Sequence, residues 1–178
     1  MSAVSRQTVG GLLNELASVG ESASAGTAAA LACAQAAALL ELTATLAAKR
    51  LGGDEEMTRV AASATVLQSA ALVALDHERT AYADAVKHGD LTEAANPPVA
   101  IALAAAQIAD GAASVASAGH WPFTPDAVAA AVLAESAARI AALIVRANLR
   151  DVPNDPRLEI AAKASTQAAA AVERANAS

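Results

Sequence analysis

A chain of 178 residues is long enough for one domain with a substantial core, and no shift of composition marks a second, so residues 1–178 read as a single unit. The net charge of −6 argues against nucleic acid, which needs a basic stripe. Roughly a third of the residues are alanine and only 2% are aromatic, so the interior has to be built from small and aliphatic side chains on closely approaching helices.

Gly and Pro breaks, read with the apolar spacing, divide the chain into about six helices. The first spans residues 4–18, and the small-residue turn GESASAG leads to a long second helix over 27–50, closed by Gly52-Gly53. Asp54 suits an N-cap for a third helix that runs to 87, where Gly89-Asp90 stops it. Asn96-Pro97-Pro98 opens a fourth helix reaching 118, with Asn96 as cap and Pro97 at the first helical position. The loop from Gly119 to Asp126, GHWPFTPD, gathers the chain's Trp and Phe with two prolines and an acid, and reads as a site-building loop. A fifth helix follows and ends near 149, and Pro153 and Pro156 separate it from a sixth that ends near 175. No alternating pattern supports a strand, so the expected fold class is all-α, an alanine-rich bundle. So little bulk per side chain leaves a limited core, and pairing two copies would complete it; a homodimer is the expected partner state.

The apolar stretches are interrupted by Gln35, Glu41, Gln107, Glu135 and Arg139, which makes them core helices and leaves no membrane partner expected. The N-terminal MSAVSRQTVGG lacks a charged start followed by a strongly apolar run, and a cytoplasmic location is expected from that. Cys33, the only cysteine, reads as a small core residue. His77, His88 and His120 show no metal-ligand spacing, so no metal is expected.

Several segments in order resemble the formiminotransferase-cyclodeaminase/methenyltetrahydrofolate cyclohydrolase family. These are LLNELAS, then SAGT and AAALACAQAAALLELTATLAAKR, then LDHERTAYADAV with Asp76 six residues before Tyr82. They continue with GHWPFTPD, where Gly119 and Asp126 bracket six residues, and with IVRANL, holding Arg146 and Asn148. The family's Pro-Thr-Pro, Gly-Gly-Gly-Ser turn is replaced here by Ser-Ala-Ser-Ala-Gly-Thr, in which Gly26 and Thr27 retain part of the pattern. The loop His120-Trp121-Pro122-Phe123 is also bulkier than in relatives.

The resemblance implies an enzyme acting on a one-carbon unit carried by tetrahydrofolate, with the folate as substrate and no tightly bound cofactor. One family reaction expels ammonia from the 5-formimino form and closes the methenyl bridge; the other adds water to that bridge. The hydrolytic reaction is the first expectation, since no formiminotransferase domain is attached. A different small molecule at the same cleft, or a non-catalytic helical dimer, are the alternatives. Both reactions pass through a tetrahedral carbon between nitrogens and need a carboxyl that moves a proton and faces a cation. Asp76 and Asp126 come first for that role and Glu78 after them. From the residues alone, Asp76, Glu78 and Arg79 equally describe a solvated charge cluster, and Asp126 an acid complementing a helix N-terminus. The implied substrate contacts are Gly26, Thr27, Lys49, Arg79, Tyr82, His120, Trp121, Arg146 and Asn148. Lys49, Arg50, Arg79, Arg146 and Arg150 are candidates for a local positive patch facing folate carboxylates, and Trp121 and Phe123 either stack on a flat ring or plug a seam.

Overall fold

The computed structural model describes residues 8–18, 24–88 and 90–178, with the side chains of 79, 82 and 86 outside that set. Among the described residues there are six α-helices: α1 (Val9–Leu16), α2 (Ala25–Arg50), α3 (Glu55–His88), α4 (Asn96–Ser117), α5 (Thr124–Asn148) and α6 (Pro156–Asn176). A short 3-10 turn, Glu93–Ala95, precedes α4. No strand occurs among the described residues.

Local chemistry explains where each helix begins and ends. The sequence places the start of α2 at 27 with a turn before it, but the helix already begins at Ala25. Ser24 caps it: the Gly26 amide donates to Ser24 Oγ at 3.2 Å, and the Ser24 amide donates to Thr27 Oγ1 at 3.3 Å. The α2 C-terminus turns through Gly52 and Gly53, whose φ angles of 72° and 92° lie in the left-handed region open to glycine. Asp54 caps α3 as expected, accepting from the Met57 amide at 2.8 Å.

Asn96 does not cap α4. The 3-10 turn runs directly into the helix, so Asn96 is already helical, and its side chain donates to Glu93 Oε2 at 2.8 Å. Asp155 caps α6 instead, ahead of Pro156 at the first helical position. Its carboxylate accepts from the Arg157 amide at 2.9 Å and pairs with Arg157 Nη2 at 2.8 Å. Arg157 Nη1 reaches across to the Thr92 carbonyl at 2.9 Å and to Asn96 Oδ1 at 2.7 Å, which ties the start of α6 to the start of α4.

α4 lies at the centre, with α2, α3, α5 and α6 all packed against it, while α2 also packs on both α3 and α5 and α5 on α6. The order around α4 is therefore α3, α2, α5, α6. Alanine dominates the contacts: Ala36, Ala37, Ala105, Ala109, Ala134 and Ala138 are fully or almost fully enclosed, with Leu40, Ile101, Ile108 and Val145 as the larger fillers. Small side chains let helix axes approach closely, so many short-range contacts replace a few large rings. Burial pushes the Cys33 thiol up to about 12, which leaves it an unreactive part of this core.

α2, the 3-10 turn with α4, and α5 are long and apolar enough by length and composition to cross a membrane, as is most of α3. In α4 two thirds of the apolar window is covered by the other helices.

Candidate functional site

Buried residues recur along α3 at intervals of seven: Met57, Ala64, Ala71, Glu78 and Ala85. Four of the five are apolar, and the fourth position in order is a carboxylic acid that is only 3% exposed. Glu78 faces the first turn of α2. A Cβ added at Gly26 would overlap Glu78 Oε1, Cδ and Cγ, so the missing side chain at Gly26 is what makes room for the carboxyl. Glycine serves here for close approach, since its φ is ordinary.

Glu78 Oε2 is enclosed and has no hydrogen-bond partner among the described residues. Burial disfavours the ionised form, and the Glu78 carboxyl is pushed up to about 7. The N-terminus of α2 beside it carries a partial positive charge that softens the penalty without supplying a partner. The result is a buried acid that holds and releases a proton near neutrality beside Gly26, whose neighbour in sequence, Thr27, is fully buried. Residues 19–23, which lead into this end of α2, lie outside the described residues, as do the side chains of Arg79 and Tyr82.

The other expected site residues divide among separate places. Asp76 is half-buried on α3, two residues from Glu78 and so about 200° round the helix from it. Asn148 is at the same end of the bundle as Glu78, where its Nδ2 donates to the Ala94 carbonyl at 2.9 Å, joining the end of α5 to the 3-10 turn. That amide proton has a structural partner in the chain itself.

Lys49 is exposed in the last turn of α2, 23 residues or about 34 Å along the helix from Gly26. Asp126 is exposed in the first turn of α5, about 33 Å along that helix from Asn148. His120 and Trp121 precede it, at the mouth of a shallow hollow formed with Ala175, Asn176 and Ser178 at the end of α6. Trp121 stacks on Phe123 with ring centroids 5.0 Å apart, and its indole covers Gly119. The aromatic loop thus packs on itself at the end of the bundle opposite Glu78.

Arg146 and Arg150 do share a feature. With Arg139 they line a groove of about 670 Å³ between α5 and α6. Since α6 and α3 stand at opposite ends of the arc around α4, this groove and Glu78 open on different sides.

Of the three acids that the sequence offers, Glu78 is buried, Asp76 half-buried and Asp126 exposed. The signal lay in the seven-residue interval of α3, where an acid replaces an apolar residue in a core stripe. Among the described residues no cluster of three or more His, Cys, Asp or Glu side chains is disposed to hold a metal ion.

Comparison with known proteins adds the following. A family model described as formiminotransferase-cyclodeaminase matches residues 8–170. Among solved structures, a formiminotetrahydrofolate cyclodeaminase from Thermotoga maritima is similar, with a TM-score of 0.89 at 19% sequence identity, over 98% of this chain and 96% of that one. No curated protein sequence matches the chain.

Proposed function

Starting from the fact that this chain belongs to the formiminotransferase-cyclodeaminase family, we propose that it closes the one-carbon bridge of a 5-formimino-tetrahydrofolate with release of ammonia, using Glu78 to move the proton. The observation that carries this reading is the buried carboxyl of Glu78 beside Gly26, whose Oε2 has no hydrogen-bond partner among the described residues.

The reaction requires two proton transfers of opposite sense. As N10 attacks the formimino carbon, the N10–C bond forms and N10 gives up its proton; the amino group on that carbon then takes a proton, the C–N bond breaks, and ammonia leaves. One carboxyl near pKa 7 can do both in turn, accepting as carboxylate and donating as acid, because its proton affinity sits close to the working pH. The reacting amidine is a cation, and an ionised Glu78 supplies its counter-charge. The folate carrier is the substrate in this reading and not a resident cofactor.

Water addition to the methenyl bridge could use the same carboxylate as base and was the first expectation from sequence. The likeness to a solved formiminotetrahydrofolate cyclodeaminase favours the ammonia-releasing reaction. The two are separated by supplying 5-formimino-tetrahydrofolate and 5,10-methenyl-tetrahydrofolate in turn. Growth of the methenyl chromophore with an equal yield of ammonia supports the proposal. Loss of the chromophore above the buffer rate with the second substrate would assign hydrolysis, and no change with either would remove the one-carbon reading.

A paired state is part of the same proposal. α3 carries exposed Val66 and Val73 seven residues apart on one face, 68% and 55% accessible, and α2 exposes Leu42. A second copy covering this face would bury apolar surface and shield the helix that bears Glu78. A cytoplasmic location accords with folate chemistry and belongs to this proposal as well.

A further inference from the structure

The groove between α5 and α6 has a chemistry of its own. Arg139, Ala142, Leu143 and Arg146 lie along one side of the α5 end at helical spacing, Arg150 follows in the turn after it, and α6 answers with Leu158, Ala162 and Ser165. The lining is thus an apolar trough with three guanidinium groups and no carboxylate. In a chain of net charge −6 that holds only 12 Lys and Arg, placing three arginines on one cleft is a local reversal of sign.

The arginines are also available. Arg146 has no ion-pair partner among the described residues; Arg150 pairs with Asp151 at 3.2 Å, both exposed, where such a pair is weakly held, and the exposed Arg139 pairs with the half-buried Glu135 at 3.3 Å. Arg139 and Arg146 are seven residues apart, which sets their attachment points about 10 Å apart along the axis. Leu143 lies between them and is 55% exposed.

We propose that the α5–α6 groove is a second binding site, distinct from Glu78, for a small organic dianion with a flat or elongated apolar body and an acidic group at each end. The apolar body covers Leu143, Ala142, Leu158 and Ala162, and the acidic ends are held by Arg139 and by Arg146 with Arg150. Guanidinium groups suit carboxylate and phosphate alike, since both accept paired N–H donors. The site does not rest on the one-carbon reading, because none of its residues belongs to the Glu78 surroundings.

The test is calorimetric titration with naphthalene-2,6-dicarboxylate, whose acidic groups stand at opposite ends of a fused ring pair, against its neutral diamide. The intact protein and Glu78→Gln bind the diacid equally, the affinity falls as salt rises, and the diamide binds at least tenfold more weakly. The double variant Arg139→Gln/Arg146→Gln, at exposed positions and checked for an unchanged circular dichroism spectrum, loses tenfold or more in affinity for the diacid. Equal binding of diacid and diamide would overturn the proposal in favour of a merely apolar patch. Unchanged binding by the double variant would overturn it as well. Absence of saturable binding, with the double variant shifting paired chains to single ones in sedimentation, would reassign the groove as an interface between copies. A protein that fails with the folate substrates yet binds the diacid leaves this site standing alone.

Discussion

Gly26 on α2 and Glu78 on α3 occupy one volume: the space where a Cβ of residue 26 would stand is filled by the carboxyl of residue 78. Alanine is the better helix former by about 1 kcal/mol, so a Gly26→Ala change would stabilise α2 if nothing opposed it. Here the overlap forces the α2–α3 contact apart or turns the carboxyl out, at a cost of about 1–3 kcal/mol. The single variant is therefore expected to lower the melting temperature. In a Glu78→Ala background the same change loses its obstacle and becomes neutral or stabilising. A double-mutant cycle by thermal melts measures the coupling, and additive effects would show that the two residues do not share this space.

Replacing Glu78 by Gln keeps the shape and removes the titration. If the carboxyl carries the proton, turnover falls by about a hundredfold or more, and kcat/KM, which in the intact protein rises through pH 7 as the carboxylate forms, becomes flat. Stability changes in the opposite sense. The folded acid binds its proton more tightly than the unfolded one, so the folded state is favoured at low pH, and this stability is lost as pH rises from 4.5 through about 7. Gln has no such loss. The stability difference in favour of Glu78→Gln is expected to widen over that window by on the order of 2–3 kcal/mol, at about 1.4 kcal/mol for each tenfold change in proton affinity. Chemical denaturation at pH 5 and pH 8 measures it, and a constant difference would mean that Glu78 titrates normally in the folded protein.

The helices were legible in the sequence because their punctuation is local: Gly52-Gly53, the Asp54 cap and Pro156 each act on their own turn. The α4 start was misread because Asn96 looks like a cap, while its side chain is drawn to Glu93 three residues earlier and to Arg157, a contact that only the folded chain brings together. The site was less legible for a related reason. A D-x-E pair on a long helix reads as two similar acids, yet a rotation of about 200° between them leaves one half-buried and the other enclosed. Which of the two faces α2 depends on the register of α3 against Gly26, a tertiary fact with no local signature beyond the seven-residue stripe. The loop at 119–126 was open to two readings from composition, and the stacking of Trp121 on Phe123 is a contact that composition does not specify.

Asp126 provides the complementary control. It is exposed at the start of α5, where a carboxylate interacts favourably with the helix N-terminus, and it stands at the far end of the bundle from Glu78. Asp126→Asn is expected to leave kcat and KM within about twofold of the intact protein and to lower stability by at most about 1 kcal/mol. A large loss of kcat with an intact fold would move the reacting centre to the aromatic loop and away from Glu78.

The exposed face of α3 tests the paired state. A charge introduced at the centre of an apolar interface is left without a partner, whereas the same charge on a wet surface is nearly neutral for stability. Val66→Glu and Val73→Glu are therefore expected to convert paired chains to single ones in sedimentation, with helical content retained. If the pair forms unchanged in both variants, the contact lies on another face.

At the start of α6, Arg157 holds the Asp155 carboxylate and, on its other side, the Thr92 carbonyl and Asn96. The Arg157 hydrogen bonds bring the Asp155 carboxyl down to about 2. Because the folded carboxyl is the stronger acid, its contribution to stability is present above pH 3.8 and is lost as pH falls through about 2. Arg157→Gln removes the ion pair together with the bridge to the α4 start, so its melting temperature should lie several degrees below that of the intact protein at pH 7. The gap should narrow between pH 3.8 and 2 and should not close, because the Thr92 and Asn96 contacts do not depend on a carboxylate. A gap that stays constant across that range would show that the bridge to α4 alone carries the effect, and that the pairing with Asp155 contributes only local order at the cap.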